Sequence, residues 1–417
     1  MAVLTSSSQN LHVHRFPQDH YIDSLRWLPQ LSAFHRHIIL AAFDSESSTS
    51  SLQILNSSNS SSNPPELTFQ SSLTTPSRIT SLTTSQNPNK SLIAASTFSG
   101  SLLLYTADLV NGSLEFVDSV DEKGFHLGRV NGIDVSENGS EFVSVGEDGR
   151  INWVSFVGGG LSTRKVFDSN GLVSYGAVKW ASPVEFVSGG LGFGLQWWDQ
   201  RRPGGPVSQF KANWTRGTTS GIVHSIDIHP SRKHTCLAGG SSGTVFAWDL
   251  RWQQQPIMLS GVGTSDLSVL SPSESDVWEV QYDNYTTSSN YRNVSESRVL
   301  PAMICSEDGI LAVIEQGEEP VELLAEPCAI NSFDIDRQNP SKPEAGAGGS
   351  SDLSMILYST KLIEKVGPIE IGSEACDRTR GKGSRFGVGV HSHLDKVLTA
   401  SSEAENFGYT AADFVVF

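Results

Sequence analysis

Glycine and histidine are the residue types in this sequence whose spacing first suggests chemistry. The run Gly189–Gly194 reads GGLGFG, but a dinucleotide-binding loop needs Gly-x-Gly-x-x-Gly between a strand and a helix. This run lies between two apolar segments and predicts a hairpin turn. Five histidines cluster near the amino terminus, but alternating residues on one strand do not converge on a metal ion. They are expected at surface or loop positions: His12, His14, His20, His35 and His37.

The spacing of the cysteines and the absence of known catalytic motifs argue against an enzyme. Four cysteines are scattered without a Cys-x-x-Cys pair, and the first residues lack the apolar core of a secretory signal, so we expect reduced thiols in a cytosolic or nuclear protein. Neither the HExxH zinc motif nor a Walker phosphate loop occurs. Ser, His and Asp are too widespread to nominate a triad. We therefore expect no enzyme activity, cofactor, metal or small-molecule substrate.

Charge and hydropathy restrict the class of partner. Of the 417 residues, only 18% are charged, and the net charge is −16. An acidic chain is a poor match for a nucleic-acid backbone. No stretch approaches the roughly 18 apolar residues of a membrane span. We expect no direct contact with nucleic acid or with membrane lipid.

Short strand-and-turn units recur along the chain. In the unit 129–156, an apolar strand, a polar turn and a second strand lead to Glu147-Asp148-Gly149 and then to a third strand. Asp-Gly between apolar runs is a strong hairpin signal, because the turn needs a positive φ that glycine adopts at little cost. The same order recurs at 173–201, 221–252 and 277–315, and more weakly at 25–55 and 79–106.

The central apolar residues of the first strands mark the repeat: Leu25, Leu82, Ile133, Val178, Ile226, Val280 and Phe333. They are separated by 57, 51, 45, 48, 54 and 53 residues, slightly more than the roughly 40–45 of a WD repeat. The excess falls in stretches rich in Ser, Asn and Pro, which are typical of exposed loops. The repeat predicts an all-β, seven-bladed WD-repeat β-propeller, rather than a β-sandwich or a two-domain β protein.

Particular residues carry the repeat signature. Trp-Asp ends the third strand of two units, where the indole is large enough to fill the space between blades and the aspartate begins the exit from the strand. The Gly-His pair and the turn aspartate of a complete WD unit are mostly missing. The predicted structural signature residues are Gly146, Asp148, Gly149, Trp198, Asp199, Trp248, Asp249, Asp308 and Gly309.

The sequence divides into three parts. Residues 1–10 are expected to be a flexible N-terminus, and residues 11–340 to form the propeller, with the alternating segment Leu11–Phe16 as the ring-closing outer strand of the last blade. Residues 341–417 form an atypical tail, and 353–371 is expected to complete the last blade. There, Leu353–Ser359 is predicted as the second strand and Pro368–Ile371 as the third. An irregular C-terminal extension follows. A genuine extension and an altered exon both account for this tail.

Two Trp-Asp-x-Arg tetrads suggest an alternative function. The tetrads 198–201 and 248–251 resemble those of WD-repeat substrate receptors of cullin–RING ubiquitin ligases, in which the arginine meets the ligase adaptor. That resemblance implies Arg201 and Arg251 as adaptor contacts. The extended form of that motif usually has an aspartate in the preceding turn, where one copy here has Ser242.

An ordered set of short sequence segments resembles one protein family. VGEDGRIN at 145–152 is the strongest, and LQWWDQR, HSIDIHPSRKH, VWEVQYD and INSFDID follow it. Over about residues 10–337 this set is similar to the forty-three-kilodalton WD-repeat nucleoporins of the Y-shaped scaffold complex (the Y-complex) of the nuclear pore. The serine-rich inserts resemble plant-type members.

This resemblance implies a non-catalytic structural scaffold in the nucleus, at the nuclear pore complex of the nuclear envelope. It implies helical-solenoid and propeller nucleoporins of the Y-complex as protein partners, and support of mRNA export, protein import and translocation through the pore. The candidate partner contacts lie at or near first strands: Arg26, Trp27, Trp278 and Glu279. Packing within the propeller accounts for both tryptophans as well.

Overall fold

In the computed structural model, the described residues form strands, turns and connecting segments, and no helix. They all belong to one compact unit, whereas a second unit, 363–410, contains none of them. The described residues are 13–30, 35–58, 66–85, 91–121, 123–202, 204–210, 221–251, 256–260, 273–282, 299–336, 356–361 and 412–416.

Six antiparallel sheets are each built from four consecutive strands, and each is a blade of a β-propeller. With strands numbered in chain order, the first blade contains β2 (Tyr21–Trp27), β3 (His35–Asp44), β4 (Thr49–Ser58) and β5 (Glu66–Thr75), and the second contains β6 (Ile79–Thr84), β7 (Ser91–Thr97), β8 (Leu102–Asp108) and β9 (Ser113–Val120). The third blade contains β10 (Val130–Val135), β11 (Glu141–Gly146), β12 (Arg150–Val157) and β13 (Gly160–Asp168), and the fourth contains β14 (Tyr175–Ser182), β15 (Glu185–Gly190), β16 (Leu195–Asp199) and β17 (Ser208–Phe210). The fifth blade contains β18 (Val223–Ile228), β19 (Thr235–Gly240), β20 (Val245–Asp249) and β21 (Ile257–Ser260), and the sixth contains β22 (Val277–Tyr282), β23 (Ala302–Ser306), β24 (Ile310–Ile314) and β25 (Val321–Ala325).

A further four-stranded sheet combines the two ends of the chain. Its strands are β26 (Ala329–Ile335), β27 (Ile356–Lys361), β28 (Ala412–Val416) and β1 (His14–Gln18). β28 lies between β27 and β1, and pairs antiparallel with both. The amino-terminal strand therefore forms the outer edge of a sheet whose inner strand is β26.

The burial of each strand follows its position in the sheet. Second strands such as β7, β15 and β19 are buried at every residue, because neighbouring sheets cover both of their faces. Outer strands such as β5 and β13 are largely exposed. The apolar clusters accordingly lie between adjacent sheets, as where Ile39 and Ile54 of the first blade meet Leu82 and Ile93 of the second.

The prediction of an all-β propeller is confirmed, and every anchor of the repeat lies on the first strand of a sheet. The tail differs from expectation. The outer strand begins at His14 instead of Leu11, and Pro368–Ile371 lies outside the described residues. The third strand of the last sheet is β28, in the segment expected to be irregular. Its pairing with β1 joins residues about 400 positions apart, which no local pattern reveals.

Candidate interaction surfaces

The first strands of the sheets surround a central channel. Its cavity has a volume of about 470 Å³ and is lined by residues of β2, β6, β10, β14, β18, β22 and β26. One ion pair lies at the channel wall: Lys179 Nζ lies 3.3 Å from Asp134 Oδ1 across two neighbouring blades. This pair helps to hold the two blades together.

An aspartate recurs at the contact between first strands. In each case, its carboxylate accepts a hydrogen bond from a backbone N–H on the first strand of the next sheet. These bonds are Asp134 to Trp180 at 2.8 Å, Asp227 to Tyr282 at 2.8 Å and Asp334 to Trp27 at 2.9 Å. The third of them joins residues 307 positions apart and links the last sheet to the first.

A buried ionic network strengthens the same junction. Arg26 Nη2 lies 2.8 Å from Glu279 Oε1, and the two side chains are 22% and 12% exposed. Ser332 lies between them: it accepts a hydrogen bond from Arg26 Nη1 at 3.0 Å and donates one to Glu279 at 3.1 Å. A second ion pair, Arg36 with Asp336, is 8% and 5% exposed. Both pairs connect the first blade to elements at the carboxyl-terminal end of the ring.

The predicted partner contacts are thus engaged within the propeller. Arg26 and Glu279 pair with each other, and Trp27 is 4% exposed. Trp278 is half-buried, with its ring centroid 4.7 Å from that of His224 and its indole N–H donating to Glu307. Of the four residues, Trp278 and Arg26 keep part of their surface accessible.

The two Trp-Asp tetrads have the same local geometry. Arg201 Nε and Nη2 each lie 2.8 Å from an oxygen of Asp199, and the same atoms of Arg251 lie 3.0 and 2.6 Å from Asp249. The hydrogen bond from Arg201 lowers the pKa of Asp199 to about 2, and that from Arg251 lowers the pKa of Asp249. Both carboxylates are ionised at neutral pH, and each orients its arginine.

The tryptophan of each tetrad packs on an outer-strand phenylalanine of the preceding blade. Trp198 lies 5.2 Å from Phe167 of β13, and Trp248 lies 4.9 Å from Phe210 of β17, between ring centroids. Both indoles are nearly fully buried. They fill the space between neighbouring sheets, which is the packing that the sequence pattern predicts.

A comparison with known proteins identifies the family. The chain is 59% identical over 343 residues to the nuclear pore complex protein NUP43 of Arabidopsis thaliana, in a match that covers 79% of this chain and 93% of the relative. The chain belongs to the Nup43 family of nucleoporins. Human nucleoporin Nup43 is 30% identical over 176 residues, which is 42% of this chain and 39% of the human protein.

A more distant relative supports the WD-repeat character of this Nup43 family member. An uncharacterized WD repeat-containing protein of Schizosaccharomyces pombe is 27% identical over 135 residues, covering 32% of this chain and 35% of the relative. A scan against models of known families finds no match.

One blade of this Nup43-family chain retains a WD hydrogen-bond network that the sequence pattern did not predict. His126 Nδ1 lies 3.0 Å from Asp148 Oδ1, and His126 Nε2 lies 2.9 Å from Ser144 Oγ. The signal in the sequence is weak, because Phe125 separates Gly124 from the histidine where the pattern has an adjacent Gly-His pair. Asp148, which the sequence predicted, is the centre of this network.

The other predicted turn residues lie at close approaches between loops. Gly149 and Gly309 have φ of 74° and 82°. A Cβ on Gly149 would lie 2.3 Å from the carbonyl oxygen of Val173, and one on Gly309 would lie 2.1 Å from that of Glu326. Gly146 ends β11, and Asp308 accepts a hydrogen bond from Ser273 Oγ at 2.9 Å. These turns tolerate only glycine at the two tight positions.

A serine in this Nup43-family chain has the spacing of a hydrolase nucleophile. The segment Gly239–Gly243 reads GGSSG, but the nucleophile elbow of hydrolases connects a strand to a helix. Here the segment connects antiparallel strands β19 and β20. Ser241 Oγ accepts a hydrogen bond from the backbone N–H of Ile222 at 3.1 Å. This bond continues the pairing of β18 with β19 within one blade.

Two of the cysteine thiols, Cys236 and Cys305, are buried. Burial raises the pKa of Cys236 to about 12 and that of Cys305 well above its ordinary value, so both thiols stay protonated. Across the described ranges, no three His, Cys, Asp or Glu side chains are placed to hold a metal ion. Nor does the described part of the chain contain a helix long and apolar enough to cross a membrane.

Proposed function

We propose that this chain is a non-catalytic scaffold that acts through protein–protein binding. As a member of the Nup43 family it is a structural subunit of the nuclear pore complex, located at the nuclear envelope. The observation that carries this conclusion is the 59% identity that extends over 93% of the Arabidopsis nuclear pore protein. A match of 343 residues is several times longer than a single repeat of about 50 residues.

The proposed partners are the helical-solenoid and propeller nucleoporins of the Y-complex. In that position the chain supports mRNA export and protein import by holding the outer ring of the pore together. The family relationship supports partners within the nuclear pore complex. The assignment of these partners to the Y-complex follows from the resemblance of the ordered sequence segments. Contact with the envelope runs through these partners.

The geometry supports a rigid scaffold over an enzyme. The charged pairs Lys179–Asp134 and Arg26–Glu279 are held in fixed salt bridges at or near the channel, whereas a catalytic acid and base need protons that move at working pH. The buried thiols are protonated and unreactive. A ring of packed sheets that exposes loops on two faces is suited to binding large partners.

We count the composite sheet of β26, β27, β28 and β1 as the seventh blade. Its first strand contacts β2 through the Asp334–Trp27 hydrogen bond in the same way as consecutive blades contact each other. The propeller then extends from about residue 11 to 340, with ring-closing strands supplied from 353–371 and from the end of the 341–417 tail. Residues 1–10, predicted as the N-terminal segment, lie outside the described residues.

We assign structural roles to the predicted repeat residues. Asp148, Asp308 and the two Trp-Asp pairs hold turns and blades together, as their hydrogen bonds and ring contacts support. Among the predicted partner contacts, Arg26, Trp27 and Glu279 serve ring closure. Trp278 is the proposed contact with a partner, because its indole is half-buried beside the channel.

The test measures where the full chain is located in the cell and which proteins it binds. A fluorescently tagged chain expressed in Arabidopsis cells should form a rim at the nuclear envelope, and affinity purification should recover Y-complex nucleoporins. The fluorescent tag alone is the control. A diffuse signal together with a purification that lacks nucleoporins would contradict the proposal.

A further inference from the structure

Five basic residues gather at the junction of two blades, β14–β17 and β18–β21. Arg201 and Arg202 follow β16, Arg232 and Lys233 precede β19, and Arg251 follows β20. These loops leave the sheets on the same face. We call these five residues the basic seam.

Shared contacts join the two sides of the basic seam. The Glu185 carboxylate lies 3.6 Å from Arg201 Nη2 of its own blade and 3.3 Å from Lys233 Nζ of the next blade. On the next blade, the backbone N–H of Leu250 donates to the carbonyl oxygen of His234 at 2.6 Å, which holds the loops of Lys233 and Arg251 together. The side chains of Arg201, Lys233 and Arg251 therefore form one surface.

The charges of the basic seam are layered. The side chains of Arg201, Lys233 and Arg251 are 65%, 55% and 56% exposed. The carboxylates beneath them belong to Glu185, Asp199 and Asp249, which are 9%, 9% and 28% exposed. A molecule that approaches this junction thus meets positive groups first, although the whole chain carries a net charge of −16.

The arginines of the basic seam are oriented before any partner arrives. Asp199 holds Nε and Nη2 of Arg201, and Asp249 holds the same atoms of Arg251. In the part of the chain that the structure describes, Nη1 of Arg201 contacts no acceptor. A guanidinium that is already fixed loses less side-chain freedom when it binds a carboxylate.

We infer that the basic seam binds a short acidic segment, rich in Asp and Glu, of a partner protein. The inference rests on the proposed scaffold function and names one binding surface for it. A nucleic acid would extend beyond the seam over the acidic remainder of the chain, which repels it. A short segment contacts the seam alone, because salt screens charges farther away than about 8 Å.

The test uses the purified full chain and a fluorescent peptide of alternating Glu and Ser, with about 0.15 M salt. We expect saturable binding of this peptide, and none of a matched Gln/Ser peptide. The double variant Arg201→Gln with Arg251→Gln should weaken binding by about tenfold or more. The control, Arg164→Gln with Lys165→Gln, removes the same charge from exposed positions on β13 and should retain wild-type affinity.

Several outcomes would overturn the inference. They are no binding by the wild type, equal weakening by both double variants, or equally tight binding of a single-stranded oligonucleotide of the same charge. Should the arginine double variant unfold, the single variant Lys233→Gln must still weaken binding. If the tagged wild-type chain still locates to the nuclear rim when one of these results is obtained, the binding role of the basic seam is rejected, and the proposed scaffold function is not.

Discussion

Arg26 on β2 forms a salt bridge of 2.8 Å with Glu279 on β22, although the composite sheet that begins with β26 lies between their blades. The Glu279 carboxylate also accepts a hydrogen bond from the backbone N–H of Phe333 on β26 at 3.1 Å. One ion pair therefore holds three successive sheets together at the point where the ring closes.

Glu279→Gln should destabilise the propeller by about 3 kcal/mol, because it leaves the largely buried Arg26 charge without its partner. Urea unfolding of the full chain measures this change. The added variant Arg26→Gln should recover part of the loss, since it removes the unpaired charge. Lys165→Gln is the control: it breaks an exposed pair with Asp168 and should cost less than about 1 kcal/mol. Equal effects of Glu279→Gln and Lys165→Gln would contradict the assignment.

Asp334→Ala should open the junction between the last sheet and the first. It removes the acceptor of the Trp27 N–H, at a cost of about 1–3 kcal/mol. Asp134→Ala removes the equivalent bond to Trp180 between consecutive blades and is the matched control. Hydrogen exchange should show faster exchange of the Trp27 amide in the first variant and of the Trp180 amide in the second. Unchanged exchange at Trp27 would argue against the ring-closing bond.

His229 makes the stability of the propeller depend on pH. Burial, followed by the positive charge of Arg232, lowers the pKa of His229 from 6.5 to about 4. Between those values, the unfolded chain binds more protons than the folded chain, so the free energy of unfolding falls as the pH falls. From pH 7 to 5 the loss from this group is about 2 kcal/mol.

The variant His229→Gln should lack this part of the pH dependence. Its urea-unfolding free energies at pH 7 and pH 5 should differ less than those of the wild type, while the loss below about pH 4, where carboxylates titrate, is retained. Parallel pH profiles of the two proteins would show that His229 titrates normally in the folded state.

Gly149→Ala should be more damaging than the same change at another turn. Gly149 has a φ of 74°, and a Cβ there would lie 2.3 Å from the carbonyl oxygen of Val173. Gly159 has a φ of 87° with nothing near its Cβ position, and serves as the control. The control should lose about 1 kcal/mol from backbone strain alone, and Gly149→Ala clearly more. Equal thermal midpoints would contradict the close approach.

The position of each blade was predictable because its signals are local. An apolar first strand, a polar turn and an Asp-Gly hairpin occupy about thirty consecutive residues, as in 129–156. The Trp-Asp pairs likewise predicted packing between blades, since few positions other than an inter-sheet space bury so large a side chain. The His126 network was not predicted, because Phe125 separates Gly124 from His126 and interrupts the Gly-His pair.

The class of fold, the repeat and the family can be predicted from the sequence, because strand periodicity and turn chemistry act over neighbouring residues. The closure of the ring and the pairing of its charged residues are visible only in three dimensions. β1 pairs with β28 about 400 residues away, Arg26 finds Glu279 across 253 positions, and the two tetrad arginines join Lys233 on one surface. These contacts join residues that are close in space but far apart in the sequence, so the spacing of residues along the chain does not predict them.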